Sequence, residues 1–201
     1  MGLKINLGGG LKKFEGFLSL DYDELVNPDY VVNLDDINIR LPFEDNSVEE
    51  IKAHHILEHI GDGFIPLMKE LYRVAEHGCI LDIIVPHHFH EVYYGDPTHK
   101  RPITVNGMLM FGKKFNENHI KTINSSSGMG LQFGIDFDMI HYEFEYDQFY
   151  VPMLEDFFKR KEEGNVTPEE DFSIQRLLRE ATNVCMNTKM KMVAVKEYGP
   201  E

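Results

Sequence analysis

The chain has 201 residues, 42% hydrophobic and 27% charged, with a formal net charge of −14 and a pI near 5.1. That length suits one domain with a substantial core, and the acidity sets long-range electrostatics against phosphate-rich polymers, so no nucleic-acid partner is expected. No apolar run reaches the roughly 18 residues of a membrane span, and no secretory signal is visible. Two cysteines, Cys79 and Cys185, are too few for a disulfide framework, which makes a reducing cytoplasm the default location.

Residues 3–7, 17–21 and 30–34 read as short buried strands rich in Ile, Leu and Val, and 50–55 as a fourth, less apolar one. Little room is left between Gly10 and Phe17 for the crossover helix that parallel strands usually need, and the spacing alone would permit a hairpin. Phe64, Leu67, Met68, Leu71 and Val74 recur at helical spacing, predicting an amphipathic helix over 62–76 that ends at Gly78. Residues 79–85 are the most strand-like segment, and Cys79 reads as a small core residue. Strand, helix, strand in this order implies a parallel α/β sheet.

After Pro86 the chain becomes rich in His, Tyr and Gly up to Pro102. A short helix is expected over 104–110 with Thr104 as its cap, and a loop over 123–130. In 136–146, Ile140, Tyr142, Phe144 and Tyr146 alternate with His141, Glu143 and Glu145, a strand signal. Helices are expected over 152–163 and 168–183, the second opened by Thr167-Pro168-Glu169-Glu170, and a terminal strand over 188–197. Neither internal repeats nor an interdomain linker are visible, so 1–201 reads as one domain with a His-rich insertion near 86–130.

The motif with most content is the opening strand running through Leu7 into Gly8-Gly9-Gly10, followed by a strand tipped with Asp21. A glycine turn lets backbone approach a ligand closely, and an acid at the next strand end accepts hydrogen bonds from ribose hydroxyls. Singly, each feature has a plainer reading as a tight turn, a cap or a solvated loop. Downstream stand Leu41-Pro42-Phe43-Glu44-Asp45-Asn46-Ser47-Val48 and His55-Ile56-Leu57-Glu58-His59-Ile60.

From about Lys4 to Pro86 these blocks, in this order, resemble class I S-adenosylmethionine-dependent methyltransferases, in particular their compact branch. The resemblance implies a Rossmann-like, mostly parallel sheet with an antiparallel terminal strand and an abbreviated first crossover. It also implies S-adenosylmethionine as cofactor, with S-adenosylhomocysteine as product. Under it, Leu7, Gly8, Gly9 and Gly10 border the methionine and ribose portions, and Asp21 takes the ribose. Tyr22 packs beside the adenine, Asp35 or Asp36 receives the adenine amino group, and His55 faces the sulfonium end. The chain departs from the pattern at Asn6, where many members carry an acid, and at Gly9, where Cys or Ser is frequent. Ala75-Glu76-His77-Gly78-Cys79 replaces the usual "LKPGG", and the sequence opens at the first strand without the helix that often covers the cofactor. These departures bear on affinity more than on fold.

The stretch His87-His88-Phe89-His90, followed by Tyr93-Tyr94-Gly95-Asp96-Pro97-Thr98-His99-Lys100-Arg101-Pro102, lies directly after the fifth expected strand. A similar "GDPTH.RP" occurs in some compact methyltransferase-like proteins. Methyl transfer is mainly a matter of positioning the acceptor, and a base can remove its proton. His88 or His99 as base, Asp96 as orienter and Arg101 as anchor for an anionic substrate form one proposal, with Tyr93 and Tyr94 as aromatic walls. The imidazoles of His87, His88, His90 and His99, with Glu91 and Asp96, could instead bind zinc, iron or nickel, although the spacing matches no standard zinc pattern. His54 and His59 read as structural, Glu58 as orienting its turn, and Asp96 and Thr98 as making turn bonds around Pro97. The leading expectation is methyl transfer to a small-molecule or sugar-like acceptor. The alternatives are cofactor binding without transfer, and a metal-binding protein or enzyme using the His segment.

Overall fold

In the computed structural model, which describes residues 2–123 and 128–196 (121–123 by backbone only), seven strands form one sheet. They are β1 (Leu3–Leu7), β2 (Leu18–Asp21), β3 (Tyr30–Val31), β4 (Val48–His54), β5 (Ala75–Pro86), β6 (Phe137–Tyr146) and β7 (Cys185–Ala194), ordered β3-β2-β1-β4-β5-β7-β6. The first five run parallel, and β7 is antiparallel to both its neighbours. The helices are α1 (Phe64–Val74), α2 (Glu91–Gly95), α3 (Val105–Leu109), α4 (Lys113–Ile123), α5 (Met129–Phe133), α6 (Val151–Glu162) and α7 (Pro168–Glu180).

The first crossover contains no helix, yet β1 and β2 are parallel, with Ile5 opposite Leu18 and Leu7 opposite Leu20. The chain between them is a series of turns, so the strand-to-strand return is made by backbone alone. The hairpin that the spacing would have permitted does not form.

Strand register places Ile5, Leu7, Ile51, Ala53, Leu81, Ile83, Met190 and Met192 on one face, and all eight are fully buried. The opposite face is polar. Lys4 pairs with Glu50 at 2.9 Å, and Lys52 reaches Asp82 at 3.2 Å. His54 Nε2 lies 3.0 Å from the same Asp82 oxygen, and that hydrogen bond is the main cause of the depressed Asp82 pKa. Phe14 and Phe17, from the helix-free crossover, lie beneath the Lys52 ammonium. Parallel sheets usually bury both faces under helices; here the missing first crossover helix leaves the second face to charges and aromatic rings.

Several expected boundaries shift. Only Tyr30 and Val31 of 30–34 are strand, because the Asn33 side chain accepts the Asp35 amide and turns the chain. α1 ends at Val74, not at Gly78, and β5 starts at once. Gly78, at φ +85°, sits in a bulge where Val48 opposes Ala75 but Glu50 already opposes Ile80. Thr104 caps α3 and Thr167 caps α7, as expected. Of the expected loop over 123–130, residues 124–127 lie outside the described residues, while Met129 and Gly130 begin α5. In β6 the alternation is present, but Ile140, Tyr142 and Phe144 are exposed, since this strand is a sheet edge.

Candidate functional site

The strands β1, β2 and β4 end at the same side of the sheet, and their carboxyl-terminal loops enclose a cleft of about 650 Å³. Gly8, Asp21, Tyr22, Asp35 and His55 line it, together with Asn33, Ile56, His59, Thr98 and Lys100. Open α/β sheets place ligands at this position, and the volume falls in the range of small-molecule sites.

The glycine turn is built for close packing. Gly8 has φ +56° and Gly10 φ +53°, a region that side chains disfavour, and a Cβ on Gly8 would meet Ile56 at 2.4 Å. Asp21, only 7% exposed, fixes this turn. One carboxylate oxygen accepts the Gly10 amide at 3.0 Å, and the other accepts the Asp23 amide at 3.1 Å. Tyr22 is exposed at the mouth, its ring free for a ligand to stack on. His55 is the residue after β4, held at φ +55°, with its side chain half exposed to the cleft. A non-glycine residue in that region is a strained feature of the kind that collects at functional sites.

Of the remaining residues expected at the cofactor, Asp35 lines the cleft, while Leu7, Gly9, Gly10 and Asp36 are not among its lining residues. Leu7 is fully buried core, so only its backbone borders the turn. Gly9 lies under the Asn6 side chain, and a Cβ there would stand 2.0 Å from Asn6 Nδ2. The two departures at positions 6 and 9 are therefore one packing solution. Gly10 contributes its amide to Asp21. Asp36 is exposed and only closes a local turn by accepting the Asn38 amide. Asp35 does line the cleft, but three donors already occupy it: the Gly61 amide at 2.8 Å, the Gly63 amide at 2.9 Å and Lys100 Nζ at 2.5 Å. Burial works to raise the Asp35 pKa, yet Lys100 and the two amides outweigh it and hold the carboxyl below its ordinary value.

The segment after β5 divides into two parts. Thr98 and Lys100 reach the cleft. His99 sits just behind, stacked on Tyr93, with Nδ1 2.6 Å from the Tyr93 carbonyl. Asp96 accepts both the amide and the hydroxyl of Thr98, the expected turn, and these bonds hold its pKa low. Arg101 is not a free anchor: Nε donates to the Ile60 carbonyl, the terminal nitrogen donates to the Gly61 carbonyl, and the guanidinium covers the Phe64 ring. Tyr93 is buried and Tyr94 exposed.

His87, His88 and His90 lie away from the cleft. His87 and His88 border a separate hollow beside Tyr142 and Phe144, and burial lowers both pKa values, that of His87 to about 4. His90 caps α2 through Nδ1 and pairs with Asp147 through Nε2. Among the described residues, His87, His88, His90 and His99 do not come together at metal-ligand spacing. Glu91 is exposed, its amide bound to Asn183.

His59 and Lys100 line the cleft and Glu58 stands beside it, although the sequence marks Glu58 and His59 only as a structural turn and gives Lys100 no pattern of its own.

Among solved structures, a SAM-dependent methyltransferase from Archaeoglobus fulgidus matches with a TM-score of 0.58 at 15% identity, over 96% of this chain and 86% of that one. An S-adenosylmethionine-dependent methyltransferase from Mesorhizobium loti matches at 0.50 and 16% identity, over 96% and 90%. The [4+2]-cyclase SpnF matches at 0.54 and 12% identity, over 98% and 75%. No protein-family model and no curated protein sequence matches. Together with the strand order, these likenesses establish the fold as that of class I S-adenosylmethionine-dependent methyltransferases. SpnF shares it, so the fold alone does not fix the reaction.

Proposed function

We propose that the cleft binds S-adenosylmethionine and that the protein transfers its methyl group to a small-molecule acceptor. The observation that carries this reading is the meeting of Gly8, Asp21, Tyr22 and His55 in one cleft at the ends of β1, β2 and β4. Asp21 keeps oxygen lone pairs beyond its two amide bonds, enough to accept a ribose diol. Tyr22 offers the adenine a stacking face. His55 lies at the sulfonium end.

The same features argue against a dinucleotide. No helix follows Gly10, so no helix N-terminus is available to grip a pyrophosphate. The cleft's lysine, Lys100, is already paired with Asp35.

Bound there, S-adenosylmethionine supplies an electrophilic methyl group. The chain's own contribution is positioning: His55, His59 and Thr98 border the end away from Tyr22, where an acceptor would be oriented. The acidic surface, with a net charge of −14, suits a small acceptor over a polyanion. The experiment is S-adenosylhomocysteine formation measured across hydroxylated and amine-bearing small molecules. Turnover that His55→Ala lowers supports the reading; bound cofactor with no product on any acceptor would leave a binding protein of the same fold.

A further inference from the structure

We propose that Glu58, His59 and His99 form a site for a divalent transition-metal ion, zinc or iron(II), in the wall behind the cleft. This inference is independent of methyl transfer.

The elements bring the three together across a long stretch of chain. A 3-10 turn over Leu57–His59 follows β4 and sets Glu58 and His59 side by side. The Lys100 and Arg101 amides then donate to the Glu58 carbonyl, at 2.8 Å and 3.3 Å, which straps His99 against the turn. One ligand atom from each of Glu58, His59 and His99 lies within 4.8 Å of the others.

The Glu58 carboxylate gives the second, separate observation. It is 1% exposed, and neither oxygen has a hydrogen-bond partner. Two imidazole nitrogens approach Oε1, His55 Nδ1 at 3.7 Å and His99 Nε2 at 4.0 Å, both too far for a hydrogen bond. A buried carboxylate without a donor is among the costliest arrangements a fold can keep, unless a cation offsets it.

The hydrogen bonds of the two imidazoles sharpen the case. His99 Nδ1 lies 2.6 Å from the Tyr93 carbonyl, an acceptor only, so this nitrogen carries the proton. In the neutral ring the lone pair is then on Nε2, which lies 4.0 Å from Glu58 Oε1 and 3.9 Å from an Asp96 oxygen. Thr98 donates its hydroxyl proton to Asp96 at 2.6 Å, so its oxygen accepts from His59 Nδ1 at 2.9 Å. With Nδ1 as the donor, the lone pair of a neutral His59 ring is on Nε2. The His99 Nε2 atom and a His59 ring nitrogen thus share one small volume with the Glu58 carboxylate. Each Nδ1–H is also fixed by an oxygen outside the trio, the outer-shell pattern of metal-binding histidines.

Atoms bound at about 2.1 Å to one ion stand roughly 3–4.2 Å apart, so a small inward rotation closes the site. Two imidazoles and a carboxylate, with no thiolate, suit zinc or iron(II) better than calcium or magnesium. Three protein ligands leave positions open, and His59 also lines the cleft.

The test uses the full chain, stripped with a chelator and titrated with zinc, with metal content read by elemental analysis. One zinc per chain is expected, with uptake lost in Glu58→Gln and in His99→Ala. Thr98→Val should weaken affinity by about 10–100-fold, while His88→Ala should leave one ion bound. Cobalt(II) loading of the unaltered chain should give a visible absorption band of nitrogen and oxygen coordination, a readout that needs no variant to fold. Absence of uptake and of the cobalt band, unchanged uptake in Glu58→Gln, or loss of uptake in His88→Ala would each overturn the proposal. Calorimetry with S-adenosylmethionine on the metal-free protein reports separately on the cofactor reading.

Discussion

The side-chain amide of Asn6 fills the space that any side chain at position 9 would need, with Nδ2 2.0 Å from where a Gly9 Cβ would stand. Asn6 is itself 1% exposed and has no solvent to retreat into. Gly9→Ala should therefore destabilise the protein by about 1–3 kcal/mol, the range for forcing extra atoms into a packed site. Asn6→Ala in the same chain should restore much of that loss. A double-mutant cycle from urea denaturation measures the coupling; additive effects would mean that the two positions are not one packing unit.

Asp35 and Lys100 tie three loops together. The Asp35 pKa is lowered in the folded state, so its contribution to stability is present above the ordinary carboxylate value of 3.8 and fades as pH falls through the lowered folded value. Asp35→Asn should cost about 1.5–3 kcal/mol at pH 7, the range for a charge-assisted bond, and should flatten the acid limb of the stability profile. Denaturation midpoints from pH 7 to pH 2.5 check both. An unchanged limb would place the acid sensitivity elsewhere.

His87 behaves in the opposite sense from a paired histidine. Burial, aided by His88 and His90, depresses its pKa from 6.5 to about 4. Above 6.5 the ring is neutral in both states. Between 6.5 and 4 the unfolded chain takes up a proton that the folded one refuses, so stability falls as pH drops through this window. His87→Gln should remove part of that slope, on the order of 2 kcal/mol across the window. A ring-proton NMR titration giving a midpoint near 6.5 for His87 would contradict the assignment.

Local pattern made some of this molecule legible and distance hid the rest. β1, β2 and α1 follow from apolar spacing, and Thr104 and Thr167 from cap chemistry, because each depends on residues close in sequence. Asp21 and the glycine turn were readable for the same reason. The short β3 was not, since the Asn33 turn bond competes with strand pairing and composition does not show which wins. Gly78 looked like a helix stop, but the register of β4 against β5 puts it in a bulge. The His segment misled most. Its residues are adjacent in sequence, yet Thr98, His99 and Lys100 turn toward the cleft and Glu58, while His87 and His88 face β6. Glu58 and His99 meet only in the folded chain, and the hydrogen bonds that give them meaning come from Tyr93, Thr98 and Asp96.

Cofactor binding at Asp21 is measured by isothermal calorimetry of S-adenosylmethionine and S-adenosylhomocysteine against the unaltered chain and Asp21→Ala, with a dinucleotide as control. One site of micromolar-range affinity is expected, with no dinucleotide binding and a loss of about 1.5–3 kcal/mol in Asp21→Ala, the range for hydrogen bonds to a charged group. Circular dichroism of the variant confirms that the fold persists despite the freed Gly10 amide. No heat of binding in the unaltered chain, or the same affinity with and without the Asp21 carboxylate, would contradict cofactor binding at Asp21.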